Sequence, residues 1–206
     1  MRIVTITRPF GAGGHTVGQE VSKRLGFELI EKGIVDAVAK KAKVSPDWVK
    51  AIEKERGNQL INFVNSLVSI NFLDRLQEDK NRGYIDEKIY VDTLQDVMLE
   101  IARESDAVIV GRGGQYFLED HPQAVHVLLT ADDPFRVKFL QEHYDMDEGQ
   151  AQQVILRGDK RRHNFYKKIH HEDYNSISLY TVVLNMTKIS IDRAVDIIAG
   201  LVEDLE

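Results

Sequence analysis

This chain contains no cysteine, no run of about 18 consecutive apolar residues and no surplus of positive charge. Each absence closes off a class of protein. Without cysteine there are no disulfides and no thiolate metal sites, a pattern that fits a cytoplasmic protein. Without a long apolar run nothing is expected to span a membrane. The first residues enter a strand directly and lack the basic-then-apolar signature of a signal peptide. A net charge of −6 argues against nonspecific binding to nucleic acid, which depends on clustered cations. Any cationic function must therefore be local. What remains is ordinary for a globular chain: 206 residues, 43% apolar and 29% charged, suit one domain of ordinary size or a core domain with an insertion.

The opening residues MRIVTITRPFGAGGHTVGQEVSKRLG carry the most information. Arg2–Thr7 is a β-branched run, read as a buried first strand. A glycine-rich loop follows, then a helix over Thr16–Leu25 with Val17, Val21 and Leu25 at helical spacing and Gly26 as its stop. Strand, glycine loop and helix in that order bind phosphate, because glycines let backbone N–H groups close on oxygens and the helix N-terminus adds positive charge. The usual loop is G-x-x-x-x-G-K-[ST], with lysine on the outer phosphates. Here Gly11, Gly13 and Gly14 supply the cradle, Arg8 stands at the first glycine and Gly14 stands at the lysine, followed by His15 and Thr16. The plainer alternative is a turn between strand and helix.

Beyond the first strand, Phe27–Ile30 reads as a short second one. Positions 31–104 read as almost wholly helical, with breaks at Val44-Ser45-Pro46 and Asn81-Arg82-Gly83. The second half alternates. Strands are expected at Ala107–Val110, Val125–Thr130 and Leu179–Leu184, and helices from near Phe135, over Asp147–His163 and from the Ser190 cap to about Leu205. Strands separated by helices predict a parallel sheet covered on both faces.

Arginines mark three further places. Arg112 lies in Gly111-Arg112-Gly113-Gly114 directly after the third strand, where doubly wound sheets bind ligands. Arg157, Lys160, Arg161 and Arg162 form a basic stretch that suits multiply charged phosphates or, more plainly, a solvated helix face. Arg136, in the first turn after Thr130-Ala131-Asp132-Asp133-Pro134, either faces the same crevice or pairs with Asp132 or Asp133. Adjacent His170 and His171 point differently on any regular helix, so solvated histidines rather than a metal site are expected.

Four motifs in order bring a family into view: Ile6-Thr7-Arg8-Pro9-Phe10-Gly11-Ala12-Gly13-Gly14, Val108-Ile109-Val110-Gly111-Arg112-Gly113, Asp159-Lys160-Arg161-Arg162 and Ile189-Ser190-Ile191-Asp192-Arg193-Ala194. Together they resemble the cytidylate kinase-like family, a branch of the phosphate-binding-loop (P-loop) nucleoside monophosphate kinases. The resemblance implies a three-layer α/β fold of the P-loop NTPase type with a five-stranded parallel sheet. It implies a core at 1–30 and 105–206, a helical acceptor-binding insertion at about 31–104 and an arginine-bearing lid at about 141–175. Gly11, Ala12, Gly13, Gly14, His15 and Thr16 would hold the donor phosphates. Arg136, Arg157 and Arg162 would meet the transferring phosphoryl group, and Arg112 the acceptor. ATP and magnesium would be the cofactors, with a nucleotide and a small acceptor as partners.

Two departures stand out. Authentic cytidylate kinases carry a loop resembling G-P-S-G-A-G-K-G-T and a G-R-D after the third strand; here the lysine is absent and Gly113 replaces the aspartate. Arg8 is the nearest candidate in sequence to supply the missing charge. The expected activity is transfer of the terminal phosphoryl group of ATP to a nucleoside monophosphate or other small acceptor. Rival readings are a catalytically silent nucleotide sensor and, for positions 31–104, a helical interaction module.

Overall fold

The computed structural model describes residues 1–31, 33–42 and 82–205. They include five strands: β1 Ile3–Thr7, β2 Glu28–Ile30, β3 Ala107–Val110, β4 Ala124–Thr130 and β5 Val182–Asn185. The helices are α1 Gly14–Leu25, α2 Gly33–Ala42, α3 Arg82–Glu104, α4 Gly114–Phe117, α5 Asp133–Tyr144, α6 Glu148–Lys168 and α7 Ile191–Glu203, with a 3₁₀ turn at Ile177–Leu179. The strands form one sheet in the order β2-β3-β1-β4-β5, and every pairing is parallel.

The sheet order explains where the loops gather. β1 lies between β3 and β4, with Ile3 opposite both Ala107 and Ala124. A parallel strand flanked on both sides and covered on both faces must be apolar throughout, and β1 is buried along its whole length. Its two threonines carry the only hydroxyls there, and both are bonded. Thr5 Oγ1 lies 2.7 Å from His126 Nδ1, and Thr7 Oγ1 donates to Gln115 Oε1 at 2.8 Å. α1 and α7 pack beside each other against the sheet, placing Val17 and Val21 beside Ala194, Ile198 and Val202 in the main core. α7 shows why it docks: its buried positions recur at i, i+4 and i+8.

Local signals set most boundaries. The Ser190 hydroxyl accepts from Arg193 N, the Asp132 carboxylate accepts from Phe135 N, and Asp147 with Gln150 forms a reciprocal capping box. Three expectations were short of the mark. α1 begins at Gly14 rather than Thr16, because Gly13 takes a left-handed turn (φ 76°) that starts the helix early. α6 runs to Lys168, five residues past His163, because its last turn buries Tyr166. The strand expected over Leu179–Leu184 starts later, after the 3₁₀ turn. The break expected at Val44-Ser45-Pro46 lies outside the described residues, as does Asn81, while α3 begins at Arg82.

The chain divides into two compact units, one of residues 1–31 and 98–206, the other of residues 32–97. The first contains the sheet. In the second, Ile34, Val38, Tyr90 and Leu94 are buried, and Lys41 pairs with Asp96 at 3.9 Å. No helix of the described residues is long and apolar enough to cross a membrane.

Candidate nucleotide-phosphate site

The loop after β1 is built by its glycines. Gly11 (φ 82°) and Gly13 (φ 76°) are both left-handed, which a side chain resists. No described side chain caps α1 at Gly13, and the first helical bond runs from Val17 N to Gly13 O. The N–H groups of Gly14, His15 and Thr16 thus have no acceptor within the helix, at the end where the dipole is positive. This is a backbone cradle for an anion.

Arg8 lies across it. A Cβ added at Gly14 would fall 2.4 Å from Arg8 Cγ and 2.8 Å from Cδ, so the arginine stem runs over the glycine. Its tip reaches the loop after β3, where a Cβ on Gly111 would lie 2.6 Å from Arg8 Nη1. Glu31, just past the end of β2, faces the same tip at 3.5 Å, and its second oxygen is 2.7 Å from His15 Nδ1. Burial pushes the Arg8 pKa down. Glu31 opposes that, and Arg162 adds to it.

Arg112 belongs to the same group. It holds a left-handed backbone (φ 60°) between two left-handed glycines. Burial lowers its pKa to about 10, with Arg8 repelling and Glu31 attracting. Arg162 comes from α6. Its guanidinium sits 4.7 Å from the Tyr174 ring centre and 5.8 Å from that of Tyr166, and donates to Asn175 Oδ1 at 2.9 Å. Three elements distant in sequence thus gather charge at Arg8: Glu31 pairs with it, and Arg112 and Arg162 each lie close enough to repel it.

The other two arginines lie differently. Arg136 is buried and committed: Nε donates to the Phe10 carbonyl, Nη1 to Asp133, and Nη2 to both oxygens of Asp159 at 2.7 and 2.6 Å. Of the two positions expected for it, the structure shows pairing with Asp133, and the crevice position is not seen. Arg136 here is a strut that fastens the phosphate loop to α6. Asp159 also accepts from Phe10 N, and the Phe10 ring fills the notch at Gly158, where a Cβ would lie 2.6 Å from Phe10 Cβ. Arg157 is exposed and donates to Gln153 on its own helix.

Several residues at the site escaped the sequence reading. Gln115 is buried beneath the arginines and fully bonded, with Nε2 donating to the hydroxyls of Tyr166 (3.1 Å) and Tyr180 (3.3 Å). The Tyr180 hydroxyl donates onward to the Tyr174 carbonyl, and burial raises its pKa. Tyr166 and Tyr174 stack at 4.3 Å, forming the floor on which Arg162 rests. Nothing in spacing announces this network, since its members come from α4, α6 and the segment before β5. Glu31 did carry a signal: it is an acid at the carboxyl end of a parallel strand. No group of three histidines and carboxylates able to hold a metal occurs among the described residues.

The site thus lies on a five-stranded, all-parallel α/β sheet with a glycine loop at the end of its central strand. The sequence pattern of the cytidylate kinase-like family matches residues 3–188, and the chain belongs to that family. Among solved structures it resembles an uncharacterized protein from Eubacterium ventriosum ATCC 27560, at 20% identity, TM-score 0.66 and 99% coverage of both chains. It also resembles a gluconokinase from Sinorhizobium meliloti 1021, at 13% identity and TM-score 0.50, covering 99% of this chain and 93% of that one. A sugar kinase from Janibacter sp. HTCC2649 matches at 12% identity and TM-score 0.51, covering 98% and 95%. At these identities the likeness is one of fold. No curated protein matches the chain.

Proposed function

We propose that this protein is a nucleotide-dependent phosphotransferase that moves the terminal phosphoryl group of ATP to a small acceptor, a nucleoside monophosphate or another hydroxylated metabolite. The observation that carries this reading is the convergence of Arg8, Arg112 and Arg162 beside the backbone cradle of Gly11–Thr16. Phosphoryl transfer asks for this combination, because its catalysis is mostly positioning and neutralisation of spreading negative charge.

In this reading the N–H groups of Gly11, Ala12, Gly13, Gly14, His15 and Thr16 grip the donor's phosphates. Arg162 reaches the transferring group from α6, and Arg112 holds the acceptor's charged end. Arg136 keeps the loop in shape and meets the phosphoryl group only by leaving Asp159. Arg157 does so only if the lid segment at about 141–175 moves. Magnesium entering with ATP would neutralise charge on the outer phosphates.

The test is an ADP-release screen of the purified chain with magnesium ATP against nucleoside monophosphates and hydroxylated metabolites. Turnover that depends on one acceptor class is the expected result. Tight ATP binding without turnover on any acceptor would favour the silent sensor, a reading supported by the glycine at the lysine position.

A further inference from the structure

We propose that Arg8 is the donor-phosphate cation of this protein, moved to the front of the loop in exchange for the lysine at position 14, and that Glu31 is the internal anion that incoming phosphate must displace. The inference rests on the reading that the cradle takes ATP phosphates, and it adds which charge does the gripping and what opposes it.

The geometry makes the exchange a single coupled change. A side chain on residue 14 cannot coexist with Arg8 in its present path, because its Cβ would sit 2.4 Å from Arg8 Cγ, 2.8 Å from Cδ and 3.0 Å from Nε. Conversely, without a side chain at 14 the arginine stem has an open channel over the first turn of α1. The far end of that channel is also cleared, since Gly111 would place a Cβ 2.6 Å from Arg8 Nη1. Two glycines therefore define the route of one arginine, and the route ends at the cradle's mouth.

Charge says what the arrangement awaits. Glu31 acts on both Arg8 and Arg112, and it divides itself between Arg8 and His15. The contact to Arg8, at 3.5 Å, is long for a charge-assisted bond. Arg8 thus has one long ion pair, while Arg112 and Arg162 add positive charge beside it. A phosphate, with more charge and three oxygens, competes well for a fork-shaped cation held this way. Glu31 displaced from Arg8 keeps its contact with His15 Nδ1, 2.7 Å away.

Calorimetric titration with magnesium ATP, together with thermal midpoints and circular dichroism, tests this on the full chain. Arg8→Ala should weaken binding about tenfold or more, the loss expected for a charged hydrogen bond. Gly14→Lys alone should lower the midpoint and bind no better than Arg8→Ala. The double variant Arg8→Gly/Gly14→Lys should return to within about threefold of the natural chain. Glu31→Gln should bind several-fold tighter while its ligand-free midpoint falls, a pairing of effects that a purely structural ion pair would not give. Wild-type affinity in Arg8→Ala overturns the inference and leaves the proposed function standing. So does a folded double variant that binds as weakly as Arg8→Ala. Failure of the natural chain to bind magnesium ATP overturns both. Should the double variant not fold, Arg8→Ala and Glu31→Gln, which introduce no clash, decide alone.

Discussion

The loops after β1 and β3 are two versions of one turn. Gly11 and Gly111 have φ of 82° and 84°, Gly13 and Gly113 have 76° and 73°, and helices open at Gly14 and Gly114. Only the contents differ. The first turn has buried Ala12 at its centre and leads into a helix of 12 residues; the second has Arg112 there and leads into a helix of 4. A one-turn helix has little dipole to offer, so the second loop takes its positive charge from a side chain, whereas the first adds the N–H groups of a longer helix to Arg8. The same backbone can thus be charged in two ways, and the site uses both side by side.

The largest test of this difference is to spoil each turn at the same place. Gly13→Val should abolish detectable magnesium ATP binding, more than about 100-fold, because the loop can no longer present its N–H groups. It should cost little packing, since a Cβ there meets only the Phe139 ring at 3.5 Å. Gly113→Val should instead act mainly on stability, as its Cβ would lie 2.9 Å from Ile169 Cδ1 and 3.3 Å from the Phe117 ring. Calorimetry and thermal melts on the two variants read both effects. Equal loss of ATP affinity in both would break the comparison.

Next in size is the side-chain support of the first loop. Arg136→Ala removes the strut between Phe10 and Asp159 and should destabilise the fold by about 2–3 kcal/mol in denaturant titrations, the range for hydrogen bonds to charged groups. Asp159→Asn should cost less, because that carboxylate is partly exposed.

A smaller effect of opposite sign is expected at the centre of the second loop. Arg112 holds a left-handed backbone, so Arg112→Gly should relieve roughly 1 kcal/mol of backbone strain. The same change should raise KM for the acceptor found by the ADP-release screen and leave ATP affinity nearly unaltered. A drop in ATP affinity with no change in acceptor KM would place Arg112 with the first loop instead.

The smallest effect lies under both loops, at the Thr5–His126 bond. Burial holds the His126 pKa below its usual value, so the unfolded chain binds a proton more readily than the folded one. Stability contributed here is intact above the unfolded value of about 6.5 and is lost as pH falls through the lowered folded value. His126→Gln should flatten that acidic limb relative to the natural chain. An unchanged difference between pH 7 and pH 5 would exclude His126 as its source.

The turns were legible because their information is local: a β-branched strand, glycines and an amphipathic helix lie within one stretch of chain. The parallel sheet followed from alternation of such stretches. The side-chain traffic between the turns was not legible. Arg8 had been marked for its position in the loop, but its path over Gly14 to Gly111 depends on a rotamer and on a partner about a hundred residues away. Arg136 was read as facing either a crevice or a nearby aspartate, and Asp159, 23 residues on, entered neither alternative. Gln115, Tyr166 and Tyr180 meet only because three elements fold together, and none of them carries a motif. Bonds between neighbours in sequence announce themselves; bonds between neighbours in space wait for the fold.

The seat of Phe10 against Gly158 has a consequence for descent. The ring and the notch are shaped to each other, and a single methyl at 158 would collide with the Phe10 side chain. A lineage in which position 158 acquires a side chain must already have reduced position 10, and one that keeps the aromatic ring must keep the glycine. The two positions are therefore sterically coupled, although 147 residues separate them along the chain.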